Sequence, residues 1–177
     1  MHQDVSEILF SRQDIERKAA ELAATITADY QGKNPIIVGL LKGSVMFMAD
    51  LLKDLDMDLE TDFMDVSSYF GAESSGTVTI VKDMSVSVHG RHIIFVEDII
   101  DTGRTLEKVV DLIKSRGATS VRIATMLDKK EARIAPIDAD YVGYSIPNAF
   151  VVGYGLDYNE KYRNLPYVGI LKKSVYS

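Results

Sequence analysis

Residues 91–127 constrain the fold more than any other part of the chain. The pattern predicts an apolar strand at His92–Val96, a loop, a helix from about Thr105 to Arg116 that Gly117 ends, and a second strand at Ser120–Leu127. Strands joined through a helix run parallel, and uninterrupted apolar strands are typical of parallel sheets buried on both faces. The segment therefore predicts an α/β fold.

The rest of the sequence agrees with this fold class. Apolar residues recur at helical spacing from Ser11 to Tyr30, and Ser11 with Asp14 is a candidate helix cap. Further predicted elements are a strand at 36–41, a turn at Lys42 and Gly43, a helix to about Leu55, a hairpin of strands 59–66 and 77–81 with a polar tip at 67–76, and short strands at 141–144, 150–154 and 167–171. We expect a parallel sheet flanked by helices, with ligands at the carboxyl ends of its strands.

Composition limits the class of protein. With 177 residues, 46% of them hydrophobic, the chain suffices for one substantial core, and we expect a single domain over 1–177. The absence of cysteine excludes disulfides and thiolate metal sites and fits a reducing cytoplasm. A net charge of −6 without a dense basic block argues against a nucleic-acid partner, and no apolar run reaches the length of a membrane span.

Three acids follow the apolar strand at 92–96. Glu97, Asp98 and Asp101 stand almost together, and a protein rarely gathers carboxylates without a cation, a proton or water to relieve their repulsion. The cluster indicates a ligand site.

The loop Asp101–Thr105 connects this strand to a helix N-terminus. Backbone N–H groups and the helix dipole favour an anion there, Thr102 and Thr105 add hydroxyl donors, and Gly103 permits a close backbone approach. The pattern is typical of a phosphate site, although a capped helix after an ordinary strand explains the same residue types. A Walker A loop is excluded because its GKS/T ending is missing.

The stretch "VEDIIDTGRT" resembles the phosphoribosyl diphosphate signature of the type I phosphoribosyltransferases, and most closely that of their hypoxanthine-guanine branch. The resemblance extends through "LLKGS", "SSY", "LDKK" and "FVVGYGLDYNEKYRNLPYVG", and so covers nearly the whole chain. It implies a type I phosphoribosyltransferase-like core, a mainly parallel sheet flanked by helices, with a small hood formed by the chain ends. Asp101 points to a 6-oxopurine, because relatives specific for adenine or responsive to uracil generally lack an acid at this position.

The resemblance also implies an activity. The 5-phosphoribosyl group of phosphoribosyl diphosphate (PRPP) would pass to N9 of hypoxanthine and guanine, giving IMP or GMP and pyrophosphate in purine salvage. Mg²⁺ is the implied cofactor, and the implied assembly is a homodimer or homotetramer.

Residue roles are carried over at matching positions. Asp101 would be the general base or acid at N7, and Lys129 would donate to O6. The remaining implied sites are PRPP and its 5′-phosphate at Glu97, Asp98, Asp101, Thr102, Gly103, Arg104 and Thr105; pyrophosphate at Lys42, Gly43 and Arg163; the purine at Lys129, Phe150, Val151 and Asp157; a lid at Ser68 and Tyr69; and Mg²⁺ at Glu97, Asp98 and Asp157.

Three points stay open from the sequence alone. A preference for xanthine over hypoxanthine would depend on the purine pocket and not on the phosphoribosyl diphosphate signature. A nucleotide-sensing regulator that kept the fold and lost catalysis is a second alternative, against which the low basic content and Asp101 count. In relatives the peptide bond that aligns with Lys42–Gly43 is often cis, which the sequence does not reveal.

Overall fold

The computed structural model describes residues 1–69 and 77–177, with side chains described outside 68–77. Its elements in chain order are β1 (Val5–Phe10), α1 (Arg12–Tyr30), β2 (Ile36–Leu40), α2 (Val45–Asp54), β3 (Glu60–Tyr69), β4 (Thr77–Lys82), β5 (His92–Ile100), α3 (Arg104–Ser115), β6 (Ser120–Asp128), β7 (Tyr141–Ser145), β8 (Val151–Val152), β9 (Val168–Leu171) and α4 (Lys173–Tyr176). Among these described elements, every helix is too short or too polar to cross a lipid bilayer.

The core sheet has the strand order β4-β3-β2-β5-β6-β7 within the described residues. All neighbouring strands are parallel except β3 and β4, which form the predicted hairpin. Helices α1 and α2 cover one face, where Ile94 and Val96 of β5 are buried, and α3 covers the other, where Ile93 and Phe95 are buried. The sequence predictions of an α/β class and a mainly parallel, helix-flanked sheet are confirmed.

Helix α1 begins at a capping box. The Asp14 N–H donates to the Ser11 hydroxyl at 3.2 Å, and the Ser11 N–H donates to the Asp14 carboxylate at 3.0 Å. The buried face of the helix then carries the apolar residues that its periodicity predicts, among them Ile15, Leu22 and Ile26. The predicted cap is confirmed.

A smaller antiparallel sheet, the hood, joins the two ends of the chain. Its strand order is β1-β9-β8, with Val5 opposite Leu171 and Val151 opposite Ile170. The hood implied by the resemblance is present, but the sequence patterns did not predict β1. Strand β8 is shorter than predicted because Gly153 and Tyr154 take φ values of +96° and +52°, which extended strands do not adopt.

Strand β5 is longer than predicted. The apolar run ends at Val96, yet β5 continues pairing with β6 as far as Ile100 opposite Asp128. Glu97 and Asp98 therefore belong to the strand instead of following it. Because successive side chains of a strand alternate between faces, Glu97 lies on the α3 side and Asp98 on the α1–α2 side.

Candidate active site

The carboxyl ends of β2, β5 and β6 meet at one edge of the sheet. These strands are neighbours in the sheet order, and the predicted functional residues leave it there: Lys42 and Gly43 after β2, the acids at the end of β5, and Lys129 after β6. Adjacent parallel strands thus bring together residues that are far apart in sequence, as expected for a ligand site of an open α/β sheet.

The phosphate loop, residues 101–105, surrounds a cavity of about 170 Å³ at the N-terminus of α3. Glu97, Thr102 and Thr105 are among the residues that line it. Gly103 is the N-cap with φ +77°, a left-handed conformation that glycine adopts without strain. A helix start that opens onto a cavity with hydroxyl groups suits a phosphate.

Asp98 touches the loop that follows β2. A Cβ atom built on Gly43 would overlap Asp98 Oδ2, so glycine is required for this approach. A Cβ on Gly155, whose φ is +95°, would in turn overlap the Gly43 carbonyl oxygen. The end of β5, the Lys42–Gly43 turn and the chain after β8 therefore pack against one another.

Two cations lie beside this junction. Arg163 donates through Nη1 to the Gly155 carbonyl at 2.7 Å, and its Nη2 lies 3.1 Å from Asp157 Oδ1. Arg163 Nε is buried without a hydrogen-bond partner among the described residues. Lys42 Nζ lies 3.0 Å from Glu160 Oε2, and Glu160 also accepts from Arg163 at 3.2 Å. An anion arriving here would meet two cations already held in place.

Sequence reasoning missed Glu160. Its contacts with Lys42 and Arg163 lower its pKa, with the hydrogen bond from Lys42 as the larger cause. The acids and the arginine at 157, 160 and 163 follow one another at three-residue spacing, which is the one signal in the sequence that could have pointed to their association.

Glu97 and Asp98 carry unusual proton affinities. Burial raises the pKa of Asp98 to about 6, although hydrogen bonds from the backbone and the charge of Arg163 oppose the rise. Burial, together with the charge of Asp98, raises the pKa of Glu97 well above its ordinary value. Such carboxylates lack sufficient compensation within the protein, so they suit a hard cation or hydroxyl groups supplied by a ligand.

The predicted Mg²⁺ ligands are not gathered into a ready cage. Within the described part of the chain, no three His, Asp or Glu residues stand together as a metal-binding group. Mg²⁺ commonly binds through one or two carboxylates plus substrate phosphates and water, so the donor set of half-buried carboxylates fits a metal that arrives with its substrate. The assignment of Glu97, Asp98 and Asp157 stays a prediction.

Lys129 reaches the phosphate loop from the end of β6. The backbone N–H of Lys129 donates to the Ile100 carbonyl at 3.0 Å, and the side-chain Nζ lies 3.8 Å from Asp101 Oδ2. The Lys129 side chain is only 11% exposed, whereas that of Asp101 is 53% exposed. A mostly buried donor and an accessible carboxylate thus stand side by side next to the phosphate cavity.

Phe150 and Val151 lie in the hood. The Phe150 ring stacks on Tyr176 with 4.8 Å between centroids and meets Tyr158 edge-on at 5.6 Å. Phe150 is 37% exposed, which leaves ring surface for a further contact, and Val151 pairs with Ile170 in the hood sheet. Their roles at the purine stay predictions.

The lid stays untested, and the cis peptide bond lies at a different position from the one expected. The lid falls on the segment around Ser68, Tyr69 and 70–76, and its side chains lie outside the described residues. The cis peptide bond joins Leu41 to Lys42, one bond earlier than the alignment with relatives placed it. The Leu41 N–H still donates to Met64 of β3 at 2.8 Å, so the chain leaves the sheet directly after Leu41.

A cavity of about 410 Å³ between α1, α2 and the hood is larger than the phosphate cavity. Its buried Tyr154 donates to Asp50 at 2.7 Å, and Asp50 also pairs with Lys53 at 2.8 Å. These polar groups satisfy one another, whereas the acids of β5 do not. The chemistry therefore concentrates at the strand ends and not in this cavity.

Comparisons with known proteins agree with this geometry. The phosphoribosyl transferase domain family matches residues 5–159. The hypoxanthine-guanine phosphoribosyltransferase of Streptococcus agalactiae serotype V is 58% identical over 178 residues, covering all of this chain and 99% of that protein. The bifunctional protein TilS/HprT of Listeria innocua is 57% identical, and the match spans 28% of its length.

Solved structures support the same family. A crystal structure of a hypoxanthine phosphoribosyltransferase from Staphylococcus aureus superposes with a TM-score of 0.97 at 53% identity, covering 100% of this chain and 97% of that one. The family match, the full-length sequence similarity and the superposition agree, so this chain belongs to the hypoxanthine-guanine phosphoribosyltransferases of the phosphoribosyl transferase domain family.

Proposed function

We propose that the chain transfers the 5-phosphoribosyl group of PRPP to N9 of hypoxanthine and guanine, forming IMP or GMP and pyrophosphate in purine salvage. The observation that carries the proposal is the approach of Lys129 Nζ to within 3.8 Å of Asp101 Oδ2 beside the cavity at the α3 N-terminus. O6 and N7 of a 6-oxopurine lie on one edge of the base, where a donor and an acceptor so placed can serve both.

The phosphate loop would bind the 5′-phosphate. Its N–H groups, with the hydroxyls of Thr102 and Thr105, supply donors at the positive end of the helix dipole. Glu97 and Asp98, at the end of β5, are placed to accept hydrogen bonds from the ribose hydroxyls. Arg104 completes the predicted phosphate set through its position at the first residue of α3.

Bond cleavage at the anomeric carbon moves negative charge onto the departing pyrophosphate. Lys42 and Arg163 lie together at the Gly43 turn, so they are placed to neutralise that charge as it develops. Gly43 itself allows the Lys42–Gly43 turn to contact Asp98. This arrangement would place positive charge beside the leaving group.

Glu97, Asp98 and Asp157 are the residues that would hold Mg²⁺, and the metal would add positive charge to the pyrophosphate oxygens. Asp101 would take the proton from N7 as N9 attacks, because its exposed carboxylate is the acid nearest to Lys129. Lys129 would hold O6 in place during that transfer.

The same lysine would discriminate among bases. Adenine presents an amino donor at position 6, which would face the Lys129 ammonium group without an acceptor. An unsatisfied buried donor costs about 1–3 kcal/mol, so adenine should be rejected about ten- to a hundredfold.

We expect Lys129→Ala to raise KM for hypoxanthine and to narrow its advantage in kcat/KM over adenine by about tenfold or more, because the donor to O6 is lost. Steady-state kinetics with both bases measures the change, and the exposed neighbour Lys130→Ala is the control. An unchanged ratio of the two kcat/KM values would assign recognition of position 6 to another group.

We expect Gly43→Ala to weaken PRPP binding by about ten- to a hundredfold, because the new methyl group displaces the Asp98 carboxylate. Calorimetric titration with PRPP in the presence of Mg²⁺ measures this affinity. Gly32→Ala is the control for the loss of a glycine, since a Cβ at Gly32 meets open space and its cost is confined to the backbone strain of the left-handed φ of +77° there. Equal affinity in both variants would contradict the close packing of Gly43 against Asp98.

An absorbance assay with hypoxanthine, PRPP and Mg²⁺ tests the proposed function against a sensing role. Steady nucleotide formation supports the enzyme, while binding without turnover supports a regulator. A comparison of xanthine with hypoxanthine as substrates tests the other alternative, a preference for xanthine.

We further propose that residues 1–177 act as one domain, because the core and the hood both supply groups to the same site.

A homodimer or homotetramer is the assembly that the family resemblance favours. Helix α2 exposes Val45 and Met46 beside the Lys42 turn, and these side chains offer a contact surface. A cytoplasmic location fits the cysteine-free sequence.

A further inference from the structure

We propose that Arg133 is a positioning residue that keeps the phosphate loop ready for PRPP, a role that rests on the proposed function. Arg133 follows a 3₁₀ turn at Lys130–Ala132, in the connection between β6 and β7, where sequence reasoning assigned it no role. Its guanidinium group donates to the Asp101 carbonyl through Nε at 3.0 Å and to the Ile137 carbonyl through Nη1 at 2.5 Å.

The guanidinium group is anchored from its other side. Nη2 pairs with the carboxylate of Asp128, the last residue of β6, and Nη1 lies 3.3 Å from Asp138 Oδ1. The side chains of Arg133 and Asp128 are 11% and 1% exposed. Burying such a pair is costly, and the planar fork of arginine uses every nitrogen here, which lysine would not reproduce.

The segment that begins at Arg133 also holds the next carbonyl of the phosphate loop. The N–H groups of Ile134 and Ala135 both donate to the Thr102 carbonyl at 2.9 Å. The carbonyl oxygens of two consecutive loop residues, Asp101 and Thr102, are therefore drawn toward the β6–β7 connection.

These contacts favour the binding of an anion in the α3 cavity. A peptide has its N–H and its carbonyl on opposite sides, so holding the carbonyls back leaves the neighbouring N–H groups to face the α3 cavity. A carbonyl that rotated into the cavity would repel phosphate oxygens. Gly103 completes the fit, since a Cβ there would come within 2.7 Å of Ile137 Cγ2 and 3.0 Å of Arg133 Cδ.

The role predicts a larger effect on the binding of PRPP than on the binding of the purine. Arg133 contacts the backbone of the phosphate loop, while Lys129 is held separately by the Ile100 carbonyl. We therefore expect Arg133→Lys and Arg133→Met to raise KM for PRPP about tenfold or more and to change KM for hypoxanthine by less than about threefold.

The test uses steady-state kinetics together with calorimetric titration of ribose 5-phosphate, which carries the 5′-phosphate without being turned over. Arg122→Lys is the matched control, because Arg122 forms an Arg–Asp pair with Asp140 at 2.7 Å near the opposite end of β6 and is 55% exposed. Guanidinium ion at low millimolar concentration should restore PRPP affinity to Arg133→Ala and leave the wild type unchanged.

A selective rise in KM for PRPP, weaker ribose 5-phosphate binding and rescue by guanidinium support the proposal. Unchanged affinity for both phosphate ligands in a folded Arg133→Met protein overturns it, as does a parallel loss for PRPP and hypoxanthine that follows the loss of thermal stability. If the wild type binds ribose 5-phosphate but forms no nucleotide, the proposed function fails while the loop measurement still decides the role of Arg133.

Discussion

We expect Asp101→Asn to lower kcat by about 10- to 10³-fold while the affinity for PRPP changes little, because general acid–base help is typically worth 10²- to 10⁴-fold. The amide keeps the size of the carboxylate but accepts no proton from N7. Asp101 is exposed and its side chain lies 3.8 Å from Lys129 Nζ, so the substitution leaves the buried framework intact.

The control for this variant is Asp111→Asn on the exposed face of α3. Single-turnover kinetics separates the chemical step from product release, and titration of PRPP checks that the phosphate loop is unchanged. A near-normal chemical rate would remove Asp101 from proton transfer and leave it as a residue of the loop that precedes α3.

We expect Glu97→Gln with Asp98→Asn to weaken binding of PRPP and Mg²⁺ together, by about 10²-fold or more, since the loss of charge-assisted hydrogen bonds acts on both ligands. Calorimetric titration of each ligand in the presence of the other measures the effect. The double variant Asp56→Asn with Asp58→Asn, on two exposed acids between α2 and β3, is the control. Unchanged affinity for both ligands would contradict the assignment.

Asp98→Asn should also raise the free energy of unfolding of the ligand-free protein. The folded pKa of Asp98 is about 6 against an ordinary 3.8, so the folded state holds the proton more tightly than the unfolded state. The contribution of Asp98 to stability is therefore fully present below about pH 4 and lost as the pH rises through about 6. Asp98→Asn should raise Tm at pH 7 to 8 and have little effect near pH 4, a trade of stability for binding that melting curves across this range can check.

Local sequence patterns predict the core βαβ unit because its signals are local. The apolar run of β5, the helical periodicity of α3 and the capping box of α1 each lie within one stretch of chain. Strand β1 escapes such reasoning because Val5 is its one fully buried residue and its partner β9 lies at the other end of the chain. The end of β5 was also misjudged, since pairing with β6 continues past the apolar residues.

Site residues divide in the same way. The family motifs assign candidate roles to Asp101 and Lys129, and the sheet places their side chains beside each other. The contacts of Glu160 and Arg133 could not be predicted, because each residue pairs with backbone or charged groups from distant segments: Lys42 in one case, the Asp101 carbonyl in the other. A lone acid or arginine in a sequence carries no sign of such a partner.

The most direct test of the central claim is a comparison of hypoxanthine, guanine, xanthine and adenine as acceptors, with PRPP and Mg²⁺ in one buffer and with nucleotide and pyrophosphate quantified together. We predict equimolar nucleotide and pyrophosphate from hypoxanthine and guanine, with adenine disfavoured at least about tenfold in kcat/KM. Turnover of adenine equal to that of hypoxanthine, or PRPP binding without any nucleotide, would contradict a 6-oxopurine phosphoribosyltransferase that works through Asp101 and Lys129.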